Sequence, residues 1–211
     1  MVSRVGKVHV YTGESKGKTT TAFGMALRAY GQNMKVCIIQ FMKGGAYTGE
    51  FITIKNYLPG LEIYQYGKPC IKERTQLRLD QFSPGEEHKV FREINYLRED
   101  INCGACRYCF LDDAEQQEMV RKAWEHAQRA VLSGNYDMVI LDEINVALQK
   151  GFIKTSDVLE LMRNRPPKLE LILTGRGAPK EIIDAADLVT EFRMVKHYFN
   201  DGTPARRGIE Y

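Results

Sequence analysis

The sequence has no long hydrophobic run and little net charge, and both absences narrow what the chain can do. No apolar segment approaches the ~18–20 residues that cross a bilayer, so no membrane-spanning segment is expected. The segment from Met1 to Lys7 has no apolar stretch typical of a signal peptide. The formal net charge of +3 is too small to indicate nucleic acid or an acidic membrane surface as a partner. We therefore expect a cytoplasmic protein that binds neither nucleic acid nor membrane.

The composition is that of a globular protein with a sizeable core. The 211 residues suit one domain, or one domain that carries an insertion. Hydrophobic residues make up 44% and charged residues 27%, which are ordinary values. The chain has five cysteines, and in a cytoplasmic protein these indicate thiols or metal ligands before disulfides.

A glycine-rich segment after the apolar run Val8–Tyr11 has the pattern of a phosphate-binding loop. Its spacing is one residue shorter than the common G-x-x-x-x-G-K-[ST] pattern, with three residues between Gly13 and Gly17. The backbone N–H groups and the start of the following helix are expected to bind a triphosphate. Lys18 would contact the terminal phosphates and Thr19 a Mg²⁺ ion. The predicted ATP-binding residues are Gly13, Glu14, Ser15, Lys16, Gly17, Lys18, Thr19 and Thr20.

Strands alternate with helices along most of the chain, which predicts an α/β fold. Strands are predicted at 8–12, 35–42, 62–66, 137–141, 169–173 and 188–192, and helices at 18–30, 114–133, 156–163 and 180–185. Strands that are apolar on both faces indicate a buried parallel sheet. With the phosphate loop, the pattern predicts a P-loop NTPase-like, three-layer sandwich around a mainly parallel sheet. We take residues 1–211 as one domain, with a cysteine-rich insertion at 67–113 that is longer than an ordinary connection.

Two further segments place charged residues where strands end. The strand at 137–141 runs into Asp142 and Glu143, and the next strand runs into Arg176. In a parallel sheet these ends meet beside the phosphate loop. Carboxylate oxygens suit Mg²⁺, so Thr19, Asp142 and Glu143 are the predicted metal residues. A guanidinium at this edge is suited to clamp a phosphate, so Arg176 is a predicted phosphate-binding residue.

The insertion contains three cysteines at successive x-x spacings, a pattern that neither the loop nor ordinary packing requires. This spacing resembles the first three ligands of a ferredoxin-type iron–sulfur run, and a structural zinc site would use the same thiolates. Free thiols in a polar loop are the alternative. Cys37 lies in a predicted buried strand and is interpreted as a core residue. The predicted [4Fe-4S] or Zn²⁺ ligands are Cys70, Cys103, Cys106 and Cys109.

Six motifs in order resemble one enzyme family. They lie at 13–24 (GESKGKTTTAFG), 141–144 (LDEI), 173–179 (LTGRGAP), 186–191 (ADLVTE), 195–199 (VKHYF) and 208–211 (GIEY). Together they resemble the ATP:corrinoid adenosyltransferases of the cob(I)yrinic acid a,c-diamide type. The resemblance covers the chain from about residue 7 to 66 and from about residue 124 to the end.

The resemblance implies transfer of the 5′-deoxyadenosyl group of ATP to the Co(I) centre of a corrinoid, with release of tripolyphosphate. It also implies that ATP lies in reversed orientation, with its γ-phosphate deepest in the loop. Lys18, Thr19 and Thr20 then contact phosphate and Mg²⁺, and Glu143 or Asp142 is the metal carboxylate. The resemblance also implies that Lys18 and Arg176 stabilise the charge that develops on the leaving triphosphate, which makes them the predicted catalytic residues. A homodimer is implied, and so is a reductase such as a flavoprotein, which would supply the reduced corrinoid.

The chain departs from the family where relatives carry a Phe/Trp-containing segment that helps displace the lower ligand of the corrinoid. Tyr64 and Tyr66 stand near this place, either as substitutes or as ordinary packing residues. The cysteine module follows, and we interpret it as a staple for a lid over the corrinoid or as an electron carrier to cobalt. Two other functions remain open from the residues: an ATPase or nucleotide kinase, and a nucleotide-switched corrinoid-binding protein.

Overall fold

The computed structural model describes residues 5–44, 48–68, 111–203, 205–206 and 208–210. Within these residues, six strands form one parallel sheet: β1 (Val8–Thr12), β2 (Val36–Phe41), β3 (Glu62–Tyr66), β4 (Met138–Asp142), β5 (Glu170–Thr174) and β6 (Leu188–Glu191). Their order across the sheet is β3-β2-β4-β5-β1-β6, and every neighbouring pair is parallel. Because all strands run the same way, the loops after β1, β4 and β5 share one edge.

Helices cover both faces of this sheet. They are α1 (Lys18–Tyr30), α2 (Gly49–Tyr57), α3 (Ala114–Leu132), α4 (Ile144–Gln149), α5 (Thr155–Asn164) and α6 (Lys180–Ala185), followed by a 3₁₀ helix (Tyr198–Asp201). The long helix α3 has a clear start, because the Asp113 carboxylate accepts a hydrogen bond from the backbone N–H of Gln116 at 3.0 Å. No helix among these residues is long and apolar enough to cross a membrane.

The core has two parts because successive strand residues point to opposite faces. On one face, Ile38 and Ile140 pack with side chains of α1 and α2. On the other face, Ile39 and Leu141 pack with α3, α4, α5 and α6. All four are fully buried. This arrangement confirms the predicted three-layer α/β sandwich with a parallel sheet.

Each predicted strand and helix is present, with ends within one residue of the prediction. The sequence reading missed α2 and α4. The apolar residues of α2 (Phe51, Ile52 and Ile54) lack a clear helical spacing, and Ile54 is its buried member. Helix α4 has only six residues and follows β4 after a single residue, so too little sequence is available to show a period.

The two ends of the predicted insertion lie together. The side chains of Lys68 and Asp113 form an ion pair, and Lys68 is completely buried. Residues 68 and 113 are therefore neighbours in the fold, and the insertion at 67–113 stays a prediction. Residues 69–110, with four of the five cysteines, lie outside the described residues.

Candidate functional site

The candidate site lies at the edge where β1, β4 and β5 end. Strand β5 stands between β1 and β4 in the sheet, so the three segments that follow them are neighbours. Strand β1 leads into the glycine-rich loop, β4 into Asp142 and Glu143, and β5 into Thr174 and Arg176. The structure therefore brings together the segments that the sequence singled out.

Two glycines give the phosphate loop its shape. Gly13 has φ +100° and Gly17 has φ +115°, a region that side chains rarely adopt. A Cβ on Gly17 would also lie 2.8 Å from ring atoms of Phe192, which packs against the loop from the segment after β6. Gly17 is the N-cap residue of α1, so the curled loop passes directly into the helix.

The Lys18 side chain folds inward onto its own loop. Its Nζ donates hydrogen bonds to the carbonyl oxygens of Gly13 at 2.6 Å and Ser15 at 2.7 Å. Burial lowers the pKa of Lys18 below its ordinary value, and the nearby carboxylate of Glu143 opposes that effect. The ammonium has neutral hydrogen-bond partners here, which makes it well suited to receive an anion.

Other loop groups are already paired with protein groups. The Ser15 N–H donates to the Phe192 carbonyl at 3.2 Å, so this amide faces the chain after β6. Lys16 Nζ lies 2.7 Å from Glu210, and Glu14 lies 3.7 Å from the Arg176 guanidinium. Thr20 is exposed in the first turn of α1.

Asp142 is the centre of a buried polar cluster. Its Oδ1 accepts from the hydroxyls of Thr19 at 2.9 Å and Thr174 at 2.6 Å. Its Oδ2 accepts from Gln40 Nε2 at 2.8 Å and Lys43 Nζ at 2.7 Å. Burial opposes ionisation, but the Lys43 ammonium and these hydrogen bonds outweigh it, so the pKa of Asp142 lies below its ordinary value. The cluster links the helix after the loop to β2, β4 and β5.

Glu143 has a different environment from that of Asp142. Its backbone is left-handed, with φ +66°, and its N–H donates to the Thr174 hydroxyl at 3.0 Å. No described residue donates a hydrogen bond to its carboxylate. Burial, and then the charge of Asp142, raise its pKa above the ordinary value. Strain of this kind is concentrated at functional sites, where the surrounding structure maintains it.

The side-chain oxygen atoms at this edge of the sheet are suitable ligands for Mg²⁺. The hydroxyl of Thr19 lies beside Asp142, and the half-buried carboxylate of Glu143 follows next in the chain. Hydroxyl and carboxylate oxygens are hard ligands, which Mg²⁺ prefers. The structure thus places the three predicted metal residues together.

Arg176 reaches the same edge from the end of β5. Its side chain is 62% exposed, and its ion pair with Glu14 lies in solvent. Exposed pairs of this kind contribute little to stability, so the guanidinium can exchange its partner readily.

The sequence reading missed three residues of the Asp142 cluster: Gln40, Lys43 and Thr174. Gln40 could have been recognised from the sequence, because a polar residue within an otherwise apolar strand indicates a buried polar contact. Lys43 follows the end of β2 by two residues, just as Arg176 follows the end of β5 by two residues. Polar residues within or directly after the buried strands mark all three as candidates, but their contact with Asp142 depends on the strand order.

The two tyrosines near the family's aromatic segment make packing contacts. The Tyr64 hydroxyl donates to Glu62 at 2.8 Å, and Tyr66 hydrogen-bonds His126 at 2.8 Å. Both tyrosines pack partly buried against the core beneath α3. These contacts favour the packing interpretation.

Cys37 is fully buried, as predicted for a core residue. Within the described ranges, no group of three or more His, Cys, Asp or Glu side chains is placed to hold a metal ion. The predicted ligands Cys70, Cys103, Cys106 and Cys109 lie outside those ranges, so their metal site stays a prediction.

Comparison with known proteins identifies the family. The sequence profile of the family described as ATP:corrinoid adenosyltransferase BtuR/CobO/CobP matches residues 4–94 and 79–211. A corrinoid adenosyltransferase of Pseudomonas aeruginosa is 32% identical over 206 residues, covering 98% of this chain and 84% of the relative. Those of Escherichia coli K12 and Salmonella typhimurium are each 31% identical over 206 residues, with 98% of this chain and 86% of the relative covered. The chain therefore belongs to the ATP:corrinoid adenosyltransferase family, a family of transferases.

Proposed function

We propose that the protein transfers the 5′-deoxyadenosyl group of ATP to the Co(I) centre of a corrinoid and releases tripolyphosphate. The observation that carries the proposal is the convergence, in a member of this family, of the shortened loop with Thr19, Asp142 and Arg176 at one sheet edge. The charged groups gathered there suit a leaving group that carries the whole triphosphate.

The reaction forms one bond and breaks one bond. The electron pair of Co(I) attacks C5′ of ATP, a Co–C bond forms, and the C5′–O bond breaks with its electron pair leaving on the triphosphate. Co(I) is itself a strong nucleophile, so the protein supplies no covalent group. Its contribution is to position the reactants and to stabilise the charge that develops on the leaving oxygen. We assign this second role to Lys18 and Arg176.

We assign the direct magnesium contacts to Thr19 and Glu143. The four hydrogen bonds to Asp142 use the acceptor capacity of its carboxylate, so Asp142 supports the Thr19 hydroxyl instead of binding the ion itself. Glu143 has a carboxylate with no hydrogen-bond donor among the described residues. Magnesium, when bound, neutralises part of the triphosphate charge.

Product analysis tests the proposal. Protein, Mg²⁺, ATP and chemically reduced cobalamin are expected to yield light-sensitive adenosylcobalamin and tripolyphosphate in equal amounts. ADP with phosphate, or a phosphorylated acceptor, would instead indicate an ATPase or kinase. Binding of ATP and cobalamin without any product would indicate a nucleotide-switched binding protein. Either result would refute the proposal.

A variant pair tests the role of Lys18. Lys18→Met is expected to lower the rate of adenosyl transfer by about 10²–10³-fold, because it removes a charge aimed at the leaving group. Lys168→Met is the matched control, since Lys168 is exposed on the connection before β5. A rate for Lys18→Met within a few-fold of the control would show that Lys18 does not stabilise the leaving group.

We also propose that the insertion holds a [4Fe-4S] cluster or Zn²⁺ through Cys70, Cys103, Cys106 and Cys109. Anaerobic purification followed by iron, sulfide and zinc analysis tests this, and a metal-free protein with full activity would refute it. A homodimer and a flavoprotein reductase partner stay predictions from the family resemblance.

A further inference from the structure

The described residues after β6, between Phe192 and Glu210, form a C-terminal segment that contacts the phosphate loop (Gly13–Lys18). The two contacts lie far apart along this segment. The first contact follows β6 directly. The Phe192 N–H donates to the Thr12 carbonyl at 2.8 Å, and the Phe192 carbonyl accepts from the Ser15 N–H at 3.2 Å. The Phe192 ring lies against Gly17. This contact holds the backbone of the loop from one side.

The second contact is made by side chains and centres on Lys16. Its Nζ donates to the Tyr198 hydroxyl at 2.8 Å and to Glu210 Oε1 at 2.7 Å. The Tyr198 hydroxyl also hydrogen-bonds Glu210. These residues are more than 180 positions apart in the chain from Lys16, so the contact is a purely tertiary one.

Arg206 completes this cluster. Its backbone N–H donates to Glu210 Oε2 at 2.5 Å, and its guanidinium lies 4.6 Å from the centre of the Tyr198 ring. The Glu210 side chain is 16% exposed, although it lies almost at the end of the chain. Hydrogen bonds from Lys16 and Tyr198 lower the pKa of Glu210, so it is ionised at neutral pH.

Lys16 and Lys18 therefore have different partners although they are two residues apart. Lys18 is buried within the loop. Its pKa, lowered by burial, also depends on the charges of Glu143, Arg176 and Asp142. The Lys16 side chain is 44% exposed, and, against the opposing effect of burial, its hydrogen bonds with Glu210 and Tyr198 raise its pKa. This contrast indicates that the charge of Lys16 is used to hold the C-terminal segment, whereas the charge of Lys18 is directed to the phosphate site.

We propose that the segment from Phe192 to Glu210 braces the phosphate loop, with Glu210 and Tyr198 as positioning residues that act through Lys16. The inference rests on the proposed function, because the loop it braces is the one assigned to the triphosphate. A loop held in its curled shape has less conformational freedom to lose when the nucleotide binds. The brace should therefore strengthen nucleotide binding, with little effect on the later chemical step.

A double-mutant cycle tests the brace. The variants are Lys16→Met, Glu210→Gln and the two combined, and the main measurement is the dissociation constant of Mg·ATP by calorimetry. Each single variant is expected to weaken binding by about two- to fivefold, which is the scale of a partly exposed ion pair. Because both act through one contact, the double variant should be about as weak as either single variant. Glu191→Gln is the matched control, because Glu191 pairs with Arg193 and not with Lys16. This variant should bind Mg·ATP like the wild type.

Two results would overturn the brace. If Lys16 bound phosphate directly, Glu210→Gln would leave binding unchanged or tighter, and the two effects would be independent. If the contact served only to fasten the chain end, the variants would lower the unfolding temperature without changing the dissociation constant. In active protein, the brace further predicts a higher KM for ATP with kcat nearly unchanged. A wild-type protein that binds Mg·ATP but forms no adenosylcobalamin would refute the proposed function, while the binding cycle would still decide the brace.

Discussion

Replacing Asp142 with asparagine should destabilise the protein measurably even without any nucleotide. The asparagine side chain has the same shape, but one of its two polar atoms is a donor. Its oxygen can still accept from Thr19 and Thr174. Its NH₂ group must then face Gln40 Nε2 and Lys43 Nζ, which are themselves donors at 2.8 and 2.7 Å in the native structure. Two favourable contacts thus become donor–donor contacts.

Only one of these two contacts can be repaired. Gln40 accepts a hydrogen bond from Gln65 Nε2 at 2.9 Å, and Gln65 is half-buried, so both amides can rotate and restore their hydrogen bonds. Lys43 has no acceptor atom, so rotation cannot help it. Losing a hydrogen bond between charged groups lowers the free energy of unfolding by about 1.5–3 kcal/mol. Breaking a fully buried ion pair lowers it by about 3–5 kcal/mol. Because the Lys43 side chain is 26% exposed and can reach water, we expect a cost in the lower part of the combined range, about 1.5–3 kcal/mol.

Urea unfolding at neutral pH is the measurement, with Glu160→Gln as the control. Glu160 is exposed on α5, and its variant should stay within about 0.5 kcal/mol of wild type. The double variant Asp142→Asn with Lys43→Met should cost less than the sum of the two single changes, because the unpaired ammonium is gone. An Asp142→Asn variant as stable as the control, or strictly additive losses, would show that the Asp142–Lys43 contact does not stabilise the fold.

Two other predictions concern the loop and the far edge of the sheet. Gly17→Ala should lower the free energy of unfolding by about 1–3 kcal/mol in a denaturant titration, because it forces a side chain into a left-handed backbone and against Phe192. Gly24→Ala within α1 meets no atom within 4 Å and should instead stabilise by about 0.5–1 kcal/mol, and equal effects of the two changes would contradict the loop geometry. Burial lowers the pKa of His126 below its ordinary 6.5, so its contribution to stability is complete above that pH and is lost as the pH falls through the lowered value. His126→Phe removes the hydrogen bond to Tyr66 and should make the unfolding free energy fall less steeply between about pH 7 and pH 5, and an unchanged slope would exclude His126 as its source.

The sequence was informative where a local pattern corresponds to one local structure. The glycine spacing around Lys18 predicted the strand, loop and helix that the structure contains, because that backbone path requires glycine at particular positions. The apolar runs predicted the strands for a similar reason, since both faces of a parallel sheet are buried. Strand ends then predicted that Asp142 and Arg176 lie at the same edge of the sheet as the loop, which needs no knowledge of strand order.

The remaining features depend on contacts between distant residues. Nothing local to Lys16 indicates that its partner is Glu210, because the pairing exists only once the chain after β6 crosses the loop. The Lys43 ammonium likewise contacts Asp142 only because β2 and β4 are neighbours in the sheet. Sequence periodicity does not determine strand order, so these pairs could not be predicted from it.

The partners of the four cations suggest which of them a triphosphate would engage first. Lys43 pairs with a completely buried carboxylate and would lose the most by leaving it. Lys16 is held by Glu210 in a half-exposed cluster. Arg176 pairs with the exposed carboxylate of Glu14 at 3.7 Å, a contact that solvent weakens. Lys18 is bonded to neutral carbonyls, so it gains an opposite charge without giving one up. Lys18 and Arg176 are therefore the cations that gain most from the triphosphate, which is the reason to expect their charges, more than those of Lys16 and Lys43, to act on the departing group.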